Sequence, residues 1–204
     1  MTGALTFVHK FEPGSDPTRA PILLLHGTGG DESDLLPLGR AIAPKAALLS
    51  PRGKVIENGM PRFFRRLREG VFDEEDVRRR ANELADFVGE ARAAYGLAKP
   101  VAIGFSNGAN IAAAILLSRP ETLAGAVLMR AMAPFRSSPK SELAGTPVLI
   151  LSGLLDPIVP AESATRLAAA LAASGANVQR KMLSAGHGIT EEDLALAAAF
   201  LDTL

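Results

Sequence analysis

The chain contains no cysteine. That excludes a disulfide framework, a thiol nucleophile and a thiolate zinc site, and it accords with a reducing cytoplasm, the location we expect. A surplus of one charge is missing as well. Twenty-two basic side chains meet 22 acidic ones, so no overall field draws the protein onto nucleic acid or an acidic membrane surface. No apolar run approaches the roughly 18–20 residues of a membrane span. The opening residues, MTGALTFVHKFEPG, lack a basic stretch followed by an apolar one, so no signal peptide is expected there. There is no internal repeat and no low-complexity linker. Histidine is scarce: His9, His26 and His187 are the three candidates for any imidazole base.

What is present suits one domain spanning residues 1–204, long enough to bury a sizeable core. Short β-rich runs alternate with helical patterns. Strands are expected at 5–11, 21–26, 46–51, 101–105, 124–129, 147–152 and 178–183. Continuous apolar runs such as ILLL and VLIL fit strands covered on both faces. Helices are expected at 35–42, 74–95, 107–117, 161–173 and 191–201. Strand–helix alternation predicts an α/β fold with a mostly parallel sheet and helices on both faces. The interval 52–73, RGKVIENGMPRFFRRLREGVFD, breaks the rhythm. It has two readings: a solvated loop with Phe63 and Phe64 tucked into the core, or a flap whose phenylalanines face a substrate.

The run VAIGFSNGAN carries the first chemical signal. Gly104-x-Ser106-x-Gly108 follows an apolar strand and opens a helix, the setting of a nucleophile elbow. The turn forces the serine into a sparsely populated backbone conformation, and flanking side chains would clash across it. A serine nucleophile needs a base. His187, in SAGHGIT, lies between the last strand and the last helix, flanked by glycines. His26 competes for that role but precedes the serine and ends a strand, so it is assigned to shaping the early loop. The acid should lie between serine and histidine. Asp156, in SGLLDPIVP, is the only acid in 146–160, and its alternative reading is a turn aspartate beside a proline. Its role would be to hold the His187 tautomer. An oxyanion needs backbone N–H donors. Asn107, directly after the serine, and Thr28, in HGTGGDESD, are the candidates. Pocket walls are expected from Phe63, Phe64, Phe105, Met132, Phe135 and Ile158.

With these pieces placed, the chain resembles the phospholipase/carboxylesterase family of α/β-hydrolases, which includes the acyl-protein thioesterases. The likeness runs through LLLHGTGGDESDLLPLG, GFSNGANIAAA, SGLLDPIVP and SAGHGIT. HGTGGDE, RFFRR, EGVFD and GFSNGAN as a set bring it nearest the bacterial hydroquinone-resistance-associated carboxylesterases. The resemblance implies an α/β-hydrolase fold without a separate cap domain. It implies Ser106 as nucleophile, Asp156 as acid, His187 as base, and Thr28 and Asn107 as oxyanion donors. No metal or cofactor is implied, and a homodimer is. Where the thioesterases carry Gln-Gly after the serine and HGLGD in the early loop, this chain has Asn107-Gly108-Ala109 and HGTGGD. The expected activity is therefore a serine carboxylesterase acting on short-chain or aromatic small-molecule esters. Its alternatives are an acyl-thioesterase or lysophospholipase with the same triad and, from another class, a non-catalytic ligand-binding relative.

Overall fold

A computed structural model describes residues 5–68, 70–139 and 141–204. Its strands are β1 (His9–Glu12), β2 (Ile22–Leu25), β3 (Leu48–Pro51), β4 (Val55–Glu57), β5 (Met60–Arg62), β6 (Arg66–Arg68), β7 (Val71–Phe72), β8 (Val101–Phe105), β9 (Gly125–Met129), β10 (Pro147–Gly153) and β11 (Asn177–Leu183). Its helices are α1 (Leu36–Ile42), α2 (Glu74–Tyr95), α3 (Asn107–Ser118), α4 (Ala161–Ala173) and α5 (Glu191–Leu201). Seven strands form the central sheet in the order β1-β3-β2-β8-β9-β10-β11. Only the β1–β3 pair is antiparallel.

The apolar strands divide their side chains between two cores, as a period of two demands. Leu23, Leu25, Ala102, Leu128 and Ile150 face α2, α3 and α4, whereas Ile22, Leu24, Ile103, Val127 and Leu151 face α1 and α5. The helix α3 is buried from Asn107 to Leu117. The helix α2 starts where the Asp73 carboxylate accepts the Asp76 N–H and three acids fill its first turn, which favours the positive end of the helix dipole. It ends at Gly96, whose φ of 67° is left-handed.

The 52–73 interval is an arm of two short antiparallel hairpins, β4–β5 and β6–β7. This corrects the flap reading for two residues. Phe63 and Phe64, expected to face substrate, are 3% and 0% exposed and belong to the larger core. Phe63 packs on the His26 ring at 4.7 Å and Phe64 on Phe72 at 5.0 Å. Burial of two such rings outweighs the charge of the arginines around them, which stay at the arm's surface or find partners.

Candidate active site

Four parallel strands end at one edge of the sheet and deliver the site's residues. Thr28 follows β2, Ser106 follows β8, Asp156 follows β10 and His187 follows β11. That edge is where open α/β sheets bind their ligands. Ser106 has φ 50° and ψ −111°, a conformation an L-residue keeps only when its surroundings impose it. Two glycines make it possible. A Cβ on Gly108 would lie 1.9 Å from the Leu25 carbonyl oxygen, and one on Gly104 would lie 2.6 Å from the Ala109 backbone. The turn is pinned by the Ser106 N–H to Met129 O bond at 2.9 Å, and the Asn110 N–H returns to Ser106 O at 3.0 Å.

The structure brings Ser106, His187 and Asp156 into one line. His187 Nδ1 lies 2.9 Å from Asp156 Oδ2, and Nε2 lies 3.0 Å from Ser106 Oγ. A carboxylate can only accept, so Nδ1 carries the proton and Nε2 accepts from the serine hydroxyl. Phe105 packs against the imidazole at 5.3 Å. Burial alone would raise the Asp156 pKa. The bonds it accepts from His187 and from the Ile158 and Val159 N–H groups outweigh that and hold it below the usual carboxylate range. An imidazole placed between a carboxylate and a hydroxyl can take up the hydroxyl proton.

His26 is engaged elsewhere. The Gly53 N–H donates to its Nε2 at 3.0 Å, which leaves Nδ1 to donate to Gly27 O at 2.6 Å. Burial, the leading cause, pushes its pKa down, so it stays neutral as a strut between the early loop and the arm. His9 bonds Phe7 O and Tyr95 Oη, far along the chain from the serine turn.

A cavity of about 250 Å³ opens beside Ser106 and His187. Thr28 and Asn107 line it, and their N–H groups have no protein acceptor among the described residues. Phe105, Met132 and Ile158 also line it. Phe135 does not. It is buried beneath the Arg78 guanidinium and borders a neighbouring cavity of about 200 Å³ with Phe72. Phe63 and Phe64 are absent from the lining, having turned into the core. A larger cavity, about 570 Å³, reaches Ile22 and Val101 at the opposite ends of their strands. Among the described residues no group of three or more His, Asp or Glu is placed to hold a metal ion. No helix there is long and apolar enough to cross a membrane.

Sequence reasoning missed the residues that hold the histidine loop. Arg130, at φ 56° just past β9, is fully buried. Its guanidinium donates to Gly186 O and Gly188 O at 2.9 Å, on either side of His187, and to both carboxylate oxygens of Asp193 at 2.7 Å. Asp193 also accepts from the Thr190 N–H and hydroxyl, completing the capping box of α5. The signal was an arginine at the end of GAVLM, a strand with no solvent on either side. Arg62 and Arg66, in the 52–73 interval, also line the cavity, and the sequence assigns them no role.

Comparison with known proteins agrees with this architecture. Residues 8–204 match the phospholipase/carboxylesterase family model. A Bacillus subtilis (strain 168) protein named as a hydrolase, MhqD, is 46% identical over 187 residues, covering 91% of this chain and 92% of that one. The Bacillus cereus carboxylesterase is 44% identical with a TM-score of 0.95, covering 99% of this chain and 96% of that one. A carboxylesterase from Mesorhizobium loti is 30% identical with a TM-score of 0.93, covering 99% and 97%. A full-length family match, two strong sequence likenesses and a serine–histidine–aspartate line at the strand ends lead to one conclusion: the chain belongs to the phospholipase/carboxylesterase family of α/β-hydrolases and is a carboxylic ester hydrolase.

Proposed function

We propose that the protein is a serine esterase that hydrolyses short-chain or aromatic esters through an acyl-enzyme on Ser106. The observation that carries this is the unbroken hydrogen-bonded line from Ser106 Oγ through His187 to Asp156. His187 Nε2 takes the hydroxyl proton as Oγ attacks the ester carbonyl carbon. The carbonyl oxygen becomes an oxyanion, and the free N–H groups of Thr28 and Asn107 stabilise it. His187, now an imidazolium steadied by Asp156, gives its proton to the leaving alkoxide as the C–O bond breaks. Water then attacks the acyl-enzyme, losing its proton to His187, and Ser106 is regenerated with release of the acid.

The cavity of about 250 Å³ beside Ser106 has room for a small acyl group, which supports this substrate class, and it adjoins a further cavity of about 330 Å³ at Met132 and Ile158. Among p-nitrophenyl esters from acetate to palmitate, turnover should be fastest at the short end; fastest turnover on palmitate overturns the substrate class. A fluorophosphonate probe should label the wild type and leave Ser106→Ala unlabelled. That variant should lose at least about 10³-fold in kcat while remaining folded. An unlabelled, folded wild type would instead mark a binding protein.

A further inference from the structure

Arg62, the last residue of β5, carries a guanidinium that is 4% exposed. Its Nε donates to Phe64 O at 3.3 Å and lies 3.5 Å from Glu57 Oε2. Nη1 is buried without an acceptor, and none of the described residues accepts from Nη2. A second donor is left over nearby. Asn107 Oδ1 accepts the Phe63 N–H at 2.8 Å, which fixes the amide and makes Nδ2 a donor, and Nδ2 too is buried without a partner. Both residues border the cavity that holds Ser106 and His187.

Buried polar groups are nearly always satisfied, and a buried guanidinium with unmet donors is costly. The charge around the cavity is unbalanced in the same sense. Glu57 is shared between Arg62 and Arg66, so those three side chains keep one positive charge in excess. Arg130 is neutralised by Asp193. No Asp or Glu among the described residues lines the cavity, and Asp156 lies across the His187 ring from Ser106. Among the described residues, the lining thus offers donors and positive charge without a counter-charge.

We infer that the cavity takes an ester bearing a carboxylate, with Arg62 as the specificity-determining residue that binds it and Arg66 and the Asn107 amide in support. The substrate class is a half-ester of a small dicarboxylic acid or an ester of a small hydroxy acid. The Arg62 guanidinium keeps terminal donors that no described residue satisfies, and a carboxylate is the acceptor that suits such a fork. The reaction stays the hydrolysis proposed above, on which this inference rests: water and the charged ester give the acid and the alcohol.

The test is a pair of shape-matched comparisons followed by acid release. Monomethyl succinate is compared with methyl 4-methylpentanoate for a carboxylate on the acyl side. The acetate ester of glycolic acid is compared with isobutyl acetate for the alcohol side. In one pair the charged ester should show kcat/KM about tenfold or more above its neutral partner, and the pair that does so locates the carboxylate. Arg62→Met should lower that ratio about tenfold and Arg62→Lys should restore part of it. Because each ratio is taken within one enzyme, general damage to the active site cancels. If Arg62→Met does not fold, Arg62→Lys and Arg66→Gln carry the comparison. Neutral esters equal to or faster than charged ones in both pairs, or a ratio indifferent to Arg62, overturns the inference. If the folded enzyme turns over no ester, the esterase reading fails by itself. Calorimetric titration with succinate then decides: binding lost in Arg62→Met upholds the anion site, and no binding to wild type overturns it.

Discussion

Leu25, Ile103, Val127 and Leu151 in the central sheet pack into its two apolar cores. The 52–73 arm is fixed otherwise. Three of its backbone N–H groups end on buried side chains of distant elements: Gly53 on His26 Nε2, Phe63 on Asn107 Oδ1 and Arg65 on Asp76 Oδ2. A fourth contact runs the other way, from the Gly29 N–H to Pro61 O. The sheet owes its place to area removed from water, which tolerates small errors of direction. The arm adds to the burial of Phe63 and Phe64 a set of single acceptors at about 3 Å, which do not. One region therefore defines the fold and brings Ser106, Asp156 and His187 together, while the other closes the cavity wall and carries Arg62.

The largest effect should come from the fully buried ion pair at the end of β9. Arg130→Met removes the partner of a fully buried carboxylate, Asp193, and frees the Gly186 and Gly188 carbonyls. It should cost about 3–5 kcal/mol in urea unfolding and lower kcat, because His187 sits between those carbonyls. The double variant Arg130→Met/Asp193→Leu should recover part of the stability without the activity. Next comes Gly108→Ala, whose Cβ would meet the Leu25 carbonyl carbon at 2.4 Å and its oxygen closer still. A cost of about 3 kcal/mol is expected from a backbone that must shift. A cost under about 1 kcal/mol would mean that α3 can slide on β2, and the contrast between a rigid sheet region and a contingent arm would weaken.

The same contrast explains what could be read from the chain. All seven strands of the sheet and all five helices were recoverable, because ILLL, VAIGF and VLIL advertise burial and residues 74–95 repeat at helical spacing. Ser106, Asp156 and His187 could be picked out because each stands alone just past such a run, in an order that limits the choice. The hairpins β4–β5 and β6–β7 could not. Each strand is two or three residues long, too short for a period, and their acceptors lie far away in sequence. One reading of the interval puts both phenylalanines in the core, where the structure has them; assigning them to the pocket wall fails for the same reason. In RFFRR the charges suggest a surface, and nothing local reveals that Asn107 and Asp76 draw the backbone inward so that both rings face the core.

A middling effect should separate the two regions in solution. Asp76 is buried at the start of α2, accepting from the Arg65 N–H and pairing with Arg79 and Arg80. Burial alone would raise its pKa. The Arg65 N–H and the two guanidiniums outweigh that, so it titrates below the ordinary carboxylate value. A depressed folded pKa gives stability that is fully present above the unfolded value of about 3.9 and is lost as pH falls through the folded value. Asp76→Asn should therefore cost about 1–2 kcal/mol at pH 7. Its deficit against wild type should shrink below about pH 4, where the wild-type carboxyl also loses its charge. Amide exchange should quicken in 52–73 before it does in β8 or β9. Equal acceleration in the sheet would mean that the arm is part of the global folding unit.

The smallest effect concerns the loop that carries Asp156. Leu154 and Leu155 are 62% and 72% exposed, yet their N–H groups donate to Leu183 O and Ala185 O at 2.8 and 3.0 Å. The backbone, with the bonds from Ile158 and Val159 to the carboxylate, is what positions the aspartate, and the leucine side chains contribute little within one chain. Leu155→Ser should shift stability by less than about 0.5 kcal/mol and leave kcat/KM within about twofold. A deficit against wild type that grows with protein concentration would show that Leu154 and Leu155 face a second copy of the chain. It would also mean that the Asp156 loop draws support from outside its own sheet.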